Sequence, residues 1–334
     1  MDWEHFWWNN VYGPRSFTGA IAEHAISGKS VLLVHPAGGI PWLEGMREAV
    51  KERVEQSGIM NVKFLTLAEE IQPDEGIGDF LIRRYTNGDG YRPHSEDWWD
   101  YLRRSASINS SLIWIYDISS EHLAGFRDVC RRLKGICSFV IECANDSGAI
   151  AGLEIMSPEF SEYDYLLLAS QAVSERENIN DAWRCYLSDL AAEIHAGDAE
   201  AIVEFAGQCE LSVSPDKIYE NITSTAIWKA QLRNSYHLIE EERLKLINRY
   251  MAGIIRCLPE MQYSTEVTDP IDVELGLLLH LADLKRESMG KERLVLAYDD
   301  YEHLRFLRNV RNKLAHNDIL TPQEMDALFR FSLT

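Results

Sequence analysis

The sequence predicts an α/β domain built on a five-stranded parallel sheet, followed by an all-α helical bundle. Three observations lead there. In the first half, short runs rich in Val, Leu, Ile and Phe alternate with longer stretches of helical period. From residue 179 onward the strand signals vanish. The 334 residues are 46% hydrophobic, enough apolar material for real cores in both halves. Strands alternating with helices put helices on both faces of a parallel sheet, joined by right-handed crossovers.

The elements follow in order. The aromatic entry MDWEHFWWNN reads as packing, with Trp3, Phe6, Trp7 and Trp8 clustered for a core. PRSFTGAIAEHAIS (14–27) is a helix stopped by Gly28. SVLLVHP (30–36) is a first strand, and WLEGMREAVKERVEQS (42–57) is an amphipathic helix with Leu43, Met46, Val50 and Val54 on one stripe. NVKFLTL (61–67) is a second strand, followed by a less regular helical stretch over 76–107. SLIWIYD (111–117), CSFVIEC (137–143) and DYLLLAS (164–170) complete the five strands, with a helix at 120–134. The segment 181–208 is helical with a break near Gly197, and 226–258 is one long helix ended by Pro259. Asp269-Pro270 opens a helix that carries ELGLLLHLADL (274–284). YDDYEHLRFLRNVRNKLAH (298–316) is the next helix, and Thr321-Pro322-Gln323-Glu324 is a capping box for the last. The expected division is 1–172 for the α/β domain, 173–225 for a helical linker or lid, and 226–334 for the bundle.

The net charge of −20 disfavours a general nucleic-acid coat protein, which needs surplus Lys and Arg. The charge is uneven: residues 1–227 carry roughly −18 and residues 228–334 only about −2. A basic window runs from Lys285 to Lys313 and includes Arg305, Arg308 and Arg311. The six cysteines are scattered without a CxxC pair, so reduced thiols are expected rather than a disulfide frame or zinc site. No apolar run reaches 18 residues, so no membrane association is expected, and the first residues lack a secretory pattern. A cytoplasmic location follows as the expectation. No bound cofactor or metal ion is expected.

The stretch GPRSFTGAIAEHAISGKSVLLVHPAGGIPW (13–42) resembles the entrance of an ATPase of the AAA/STAND P-loop class: short helix, strand, Gly-rich loop, helix. The resemblance implies a Walker B-like acid in Asp117, at the end of the third strand, and a polar sensor in Asn145, after the fourth. The loop HPAGGIPW (35–42) departs from the pattern. It has no Lys, Ser or Thr where GxxxxGK[ST] places them, and Pro41 lacks an N–H donor. Gly38 and Gly39 can only turn the chain or admit a phosphate to a helix N-terminus. ATP hydrolysis is not expected. His35, beside the glycines, reads as structural.

Near the chain's end lies Arg311-Asn312-Lys313-Leu314-Ala315-His316. A histidine that carries a proton near neutrality, a permanently charged arginine and an orienting amide suffice for metal-free RNA cleavage by the adjacent 2′-OH. Five residues on a straight helix lie roughly 500° apart, so Arg311 and His316 diverge by about 140°. They converge only if the helix ends near Ala315 or a second subunit completes the cleft. The stretch resembles the R-x4-6-H signature of the HEPN superfamily, with Asn312 as the polar residue after the arginine. The helices from 226 onward, including Glu274, fit as well. The resemblance implies a homodimer through the C-terminal domain and an RNA substrate. It implies a ribonuclease effector of a bacterial antiviral defence or toxin–antitoxin-like system, probing through a degenerate sensor domain and bound to a second protein of that system. The alternative is a non-catalytic HEPN dimerisation adaptor that binds a partner protein.

Overall fold

The structure is a computed structural model that describes residues 1–58, 61–66, 71–72, 75–86, 88, 90–92, 95–116, 118, 120–143, 153–177, 179–208, 222–260 and 267–331. The chain forms two compact units: residues 1–168 with 197–200, and residues 169–196 with 201–334.

In the first unit, α1 (Trp3–Asn10) and α2 (Tyr12–Ile26) precede β1 (Val31–Val34), α3 (Leu43–Gln56) and β2 (Asn61–Thr66). Helices α4 (Ile77–Tyr85) and α5 (Trp98–Ser105), strand β3 (Ser111–Tyr116), α6 (Ser120–Arg132), β4 (Cys137–Cys143) and β5 (Glu154–Met156) follow. The strands form one sheet in the order β2-β3-β4-β1-β5. Every pairing is parallel, as in Leu32↔Ile141, Leu32↔Ile155 and Ile113↔Phe139. Alternation along each strand sends Leu32, Ile113, Ile115, Phe139 and Ile141 into a core with Phe80 and Leu81 of α4, Leu102 of α5 and Phe126 of α6. Helices α2 and α3 contact β1, β2 and β4. The aromatic entry packs as expected: Trp7 and Trp8 are fully buried, each edge-on to Phe160.

The fifth strand is not where the sequence placed it. Residues 164–170 are helical, within α7 (Glu162–Ser174), and the edge strand is the short β5. A local signal decides this. Ser161 and Asp164 form a reciprocal capping box: the Ser161 N–H donates to Asp164 Oδ2 at 2.9 Å and the Asp164 N–H to Ser161 Oγ at 3.3 Å. Leu168, Ala169, Ala172 and Val173 are then buried at helical spacing while Tyr163 and Leu167 stay exposed.

The second unit is helical. It contains α8 (Asp181–Ile194), α9 (Ala199–Gln208, from residue 201), the 34-residue α10 (Ser224–Cys257), α11 (Leu275–Ala282), α12 (Lys285–Ser288), α13 (Tyr298–Ala315) and α14 (Pro322–Phe331). Among the described residues no strand follows Met156. Helix α10 is the spine, in contact with α8, α11, α13 and α14. Its buried positions recur in pairs four residues apart: Ala226 and Ile227, Ala230 and Gln231, Asn234 and Ser235, Leu238 and Ile239. The helix expected from Asp269 begins later. Asp269 caps only a 3₁₀ turn, Pro270–Asp272, by accepting the Ile271 N–H at 2.9 Å. Arg243 then holds the carbonyls of Ile271 and Val273 at 2.7 and 2.9 Å, which keeps the chain extended until Leu275. The capping box at Thr321 forms as read: Thr321 N–H donates to Glu324 at 2.9 Å and Glu324 N–H to Thr321 Oγ1 at 3.2 Å. Among the described residues no helix is long and apolar enough to cross a membrane.

Candidate functional site

Two places must be weighed: the turn after β1, and the C-terminal end of α13. In the first, Pro36 C=O accepts the Gly39 N–H at 2.9 Å, and Gly39 takes φ +79°, a left-handed conformation that favours glycine. Gly38 and Gly39 are exposed and open. Trp42, the N-cap of α3, also has a left-handed backbone, φ 43° and ψ 59°. Its N–H donates to the Glu200 carboxylate at 3.0 Å, and its carbonyl accepts the Trp8 indole at 2.9 Å. An internal anion thus stands where a P-loop helix would offer donors to phosphate.

Beneath this turn lies a charged cluster that sequence reading missed. The strand order reverses between β1 and β4: the chain leaves β1 toward β2 and leaves β4 in the opposite direction, toward β5. Such a switch point is where open α/β sheets bind ligands. Here it holds Glu142 of β4, 3% exposed, and Arg47 of α3, 8% exposed. Arg47 Nε and Nη2 grip the carboxylate at 2.8 and 2.7 Å, and the Trp114 indole donates to it at 2.6 Å. His35 Nε2 lies 3.3 Å away. Arg47 also pairs with Glu44 and stacks over Tyr116, 4.5 Å from the ring centre. Burial pushes the Glu142 carboxyl up, but the Arg47 fork, His35 and Trp114 outweigh it and hold the group below the usual carboxylate range. So saturated a carboxylate is a poor base, and so committed a guanidinium is a poor phosphate clamp. Asp117 and Asn145 lie outside the described residues. The residues of the turn do not fit Mg-ATP: the loop 35–42 carries no lysine, serine or threonine, and its cation and helix start hold internal carboxylates. Calorimetric titration with Mg-ATP is expected to give no micromolar binding; micromolar affinity would overturn this assignment.

In the helical unit, α13 ends where the sequence suggested. Ala315 is its last residue, His316 is the C-cap and Asn317 turns left-handed at φ 61°. The His316 N–H donates to Asn312 and Lys313 carbonyls, both at 3.1 Å. His316 is exposed, Asn312 half-buried, and neither side chain has a hydrogen-bond partner among the described residues. Arg311 Nη2 reaches Glu274 at 3.5 Å, a contact open to solvent on both sides. No contact joins Arg311 to His316 within the chain. Two α10 side chains fix this helix end. The Trp228 indole donates to Leu314 C=O at 2.8 Å, satisfying one of the carbonyls a helix end leaves open. Gln231, fully buried, clasps Leu320 through both amide groups: Nε2 donates to its carbonyl at 2.8 Å and Oε1 accepts its N–H at 2.7 Å. Gln231→Ala strands both backbone groups, and a loss of about 1–3 kcal/mol in the helical unit is expected by urea unfolding. Among the described residues no group of three or more His, Cys, Asp or Glu is placed to hold a metal ion.

No protein-family model matches the chain, and no curated protein does. Two solved structures resemble it over most of their length. The Aeropyrum pernix ORC1 protein, in complex with DNA, is 13% identical over 94% of this chain and 87% of that one, with a TM-score of 0.35. The Aeropyrum pernix ORC2 protein, in ADPNP–ADP complexes, is 12% identical over 90% and 92%, with a TM-score of 0.29. At such scores neither likeness bears on what this chain does. The α/β unit stands as P-loop-like on its parallel sheet and its strand–glycine turn–helix entrance.

Proposed function

We propose that the helical unit cleaves single-stranded RNA without a metal ion, in a cleft completed by a second copy of the chain. The observation that carries this reading is the exposed C-cap position of His316, one turn beyond Asn312 and with its imidazole uncommitted. A histidine serving only to close the helix against the core would be buried. In the reaction the RNA 2′-OH gives its proton to His316 and attacks the adjacent phosphorus. The bond to the 5′-oxygen breaks and that oxygen takes a proton, leaving a 2′,3′-cyclic phosphate and a 5′-OH. Arg311 offsets the charge that grows on the phosphoryl oxygens. No contact joins Arg311 to His316 within the chain, although α13 ends at Ala315, and this supports a shared cleft between copies. The acidic α/β unit then serves to bind a second protein rather than to turn over nucleotide. A place in antiviral defence or a toxin–antitoxin pair fits such an effector.

One observation favours the adaptor reading: Arg311 is already met by Glu274. The two readings separate in a direct assay. Purified protein is incubated with a panel of single-stranded RNAs in EDTA, with and without its partner protein, and the product ends are analysed. Cyclic phosphate ends support cleavage; intact RNA under all conditions supports the adaptor.

A further inference from the structure

We infer that the groove between α11 and α13 binds a single strand of RNA and leads it to His316; this rests on the RNA-cleaving reading and names where its substrate lies. The groove is a cavity of about 820 Å³ in the helical unit. Its α13 wall is Tyr301, Glu302, Arg305, Phe306, Arg308, Asn309 and Asn312. Tyr301, Arg305, Arg308 and Asn312 recur every three or four residues and Asn309 lies beside them, so they share one stripe of the helix, and His316 is the next position along it. At 100° per residue these five and His316 fall within an arc of roughly 100°, over a rise of about 22 Å from Tyr301 to His316. Arg311 lies outside that arc, on the side of Glu274.

The chemistry of the stripe suits one strand of nucleic acid. Guanidinium groups take phosphates, amides read base edges, and aromatic rings accept stacked bases. Most cations of the basic window are already engaged: Arg286 is buried on the Glu292 carbonyl, Arg293 meets Glu287, Lys313 meets Glu324 and Arg305 meets Glu302. Arg308 is exposed and has no ion pair among the described residues. Across from it stands Gly276 of α11. A Cβ there would lie 4.0 Å from Arg308 Nε, so any larger side chain would crowd the space beside the guanidinium. Asp283 and Glu302 also line the groove, Glu302 paired with Arg305, and a cavity of this size admits nucleotide-sized groups rather than a duplex.

The test uses the full chain carrying His316→Ala, which binds without turnover, and a fluorescein-labelled oligouridylate in EDTA. Anisotropy titrations over a salt series are run on this protein and on Arg308→Ala, Tyr301→Ala and Gly276→Tyr added to it. Arg308→Ala is expected to weaken binding about tenfold and to lower the salt slope by about one. Tyr301→Ala should weaken it about fivefold or more. Gly276→Tyr, which fills the groove without adding or removing a charge, should weaken it about tenfold. Unchanged affinity in Arg308→Ala and Gly276→Tyr, or no binding at all, overturns the groove. So does a change in sedimentation with RNA affinity unaltered, which would make this face a contact between copies. If the His316-intact chain cuts RNA and the groove variants keep its KM, the groove falls and cleavage stands. If no RNA is cut but the variants lose affinity as stated, the groove stands and the cleavage reading falls.

Discussion

Glu142→Ala is expected to destabilise the α/β unit by about 3–5 kcal/mol, because it leaves the Arg47 guanidinium buried without its main partner. The magnitude follows from how closed the cluster is. Glu142 is 3% exposed and accepts two bonds from Arg47 and one from Trp114. Arg47→Ala should cost a similar amount for the converse reason. Replacing both at once, Glu142→Leu with Arg47→Met, removes both desolvated charges and should recover most of the loss. Exchange of the β1 and β4 amides reads this for the α/β unit by itself, which matters in a chain of two units. The pH dependence has a definite sign. The folded carboxyl of Glu142 is held below its ordinary value of 4.5, so its contribution is complete above that value. It fades as pH falls below 4.5 and through the lowered folded value. Additive losses in the double variant, or a stability that rises on acidification through this range, would show that the cluster does not hold the sheet switch point together.

The sheet was legible wherever the chain spoke in alternation. VLLV, SLIWIY and CSFVIEC are short, apolar and bounded by turns, and all three are strands. DYLLLAS misled because a short apolar run such as its YLLLA reads equally as strand or buried helix. The arbiter was three residues upstream, in the Ser161–Asp164 box, a pattern of the same kind as the Thr321–Glu324 box that did read correctly. The end of α13 at Ala315 was legible from Asn317, whose side chain tolerates the left-handed turn. The Glu142 cluster was hidden because its parts are 28 and 95 residues apart in sequence. Its trace was a lone Glu inside an apolar strand and an arginine on the apolar stripe of α3, two opposite charges at core positions. Loop chemistry showed that the P-loop lysine was missing. It did not show that Glu200 takes up the donor at the helix start, since Glu200 and Trp42 are 158 residues apart.

His316→Ala and Arg311→Ala should each lower the rate of RNA cutting by about 10²–10⁴-fold, with a smaller effect for Asn312→Ala. Stability should move little, within about 0.5 kcal/mol, because His316 is exposed and the Arg311–Glu274 contact is open to water. The lack of any contact between Arg311 and His316 within the chain makes a sharper test. In a symmetric dimer each cleft would take Arg311 from one copy and His316 from the other. Mixing the two inactive variants then gives heterodimers as about half of all dimers, each with one whole cleft of two, so about a quarter of the activity should return. No recovery on mixing, with both variants still dimeric by sedimentation, would place Arg311 and His316 of a single chain in one site and remove the shared cleft. A strict monomer at tens of micromolar would remove it as well. If no RNA is cut and His316→Ala instead lowers the melting temperature or breaks a dimer, the motif is a structural helix end, and the chain is the adaptor.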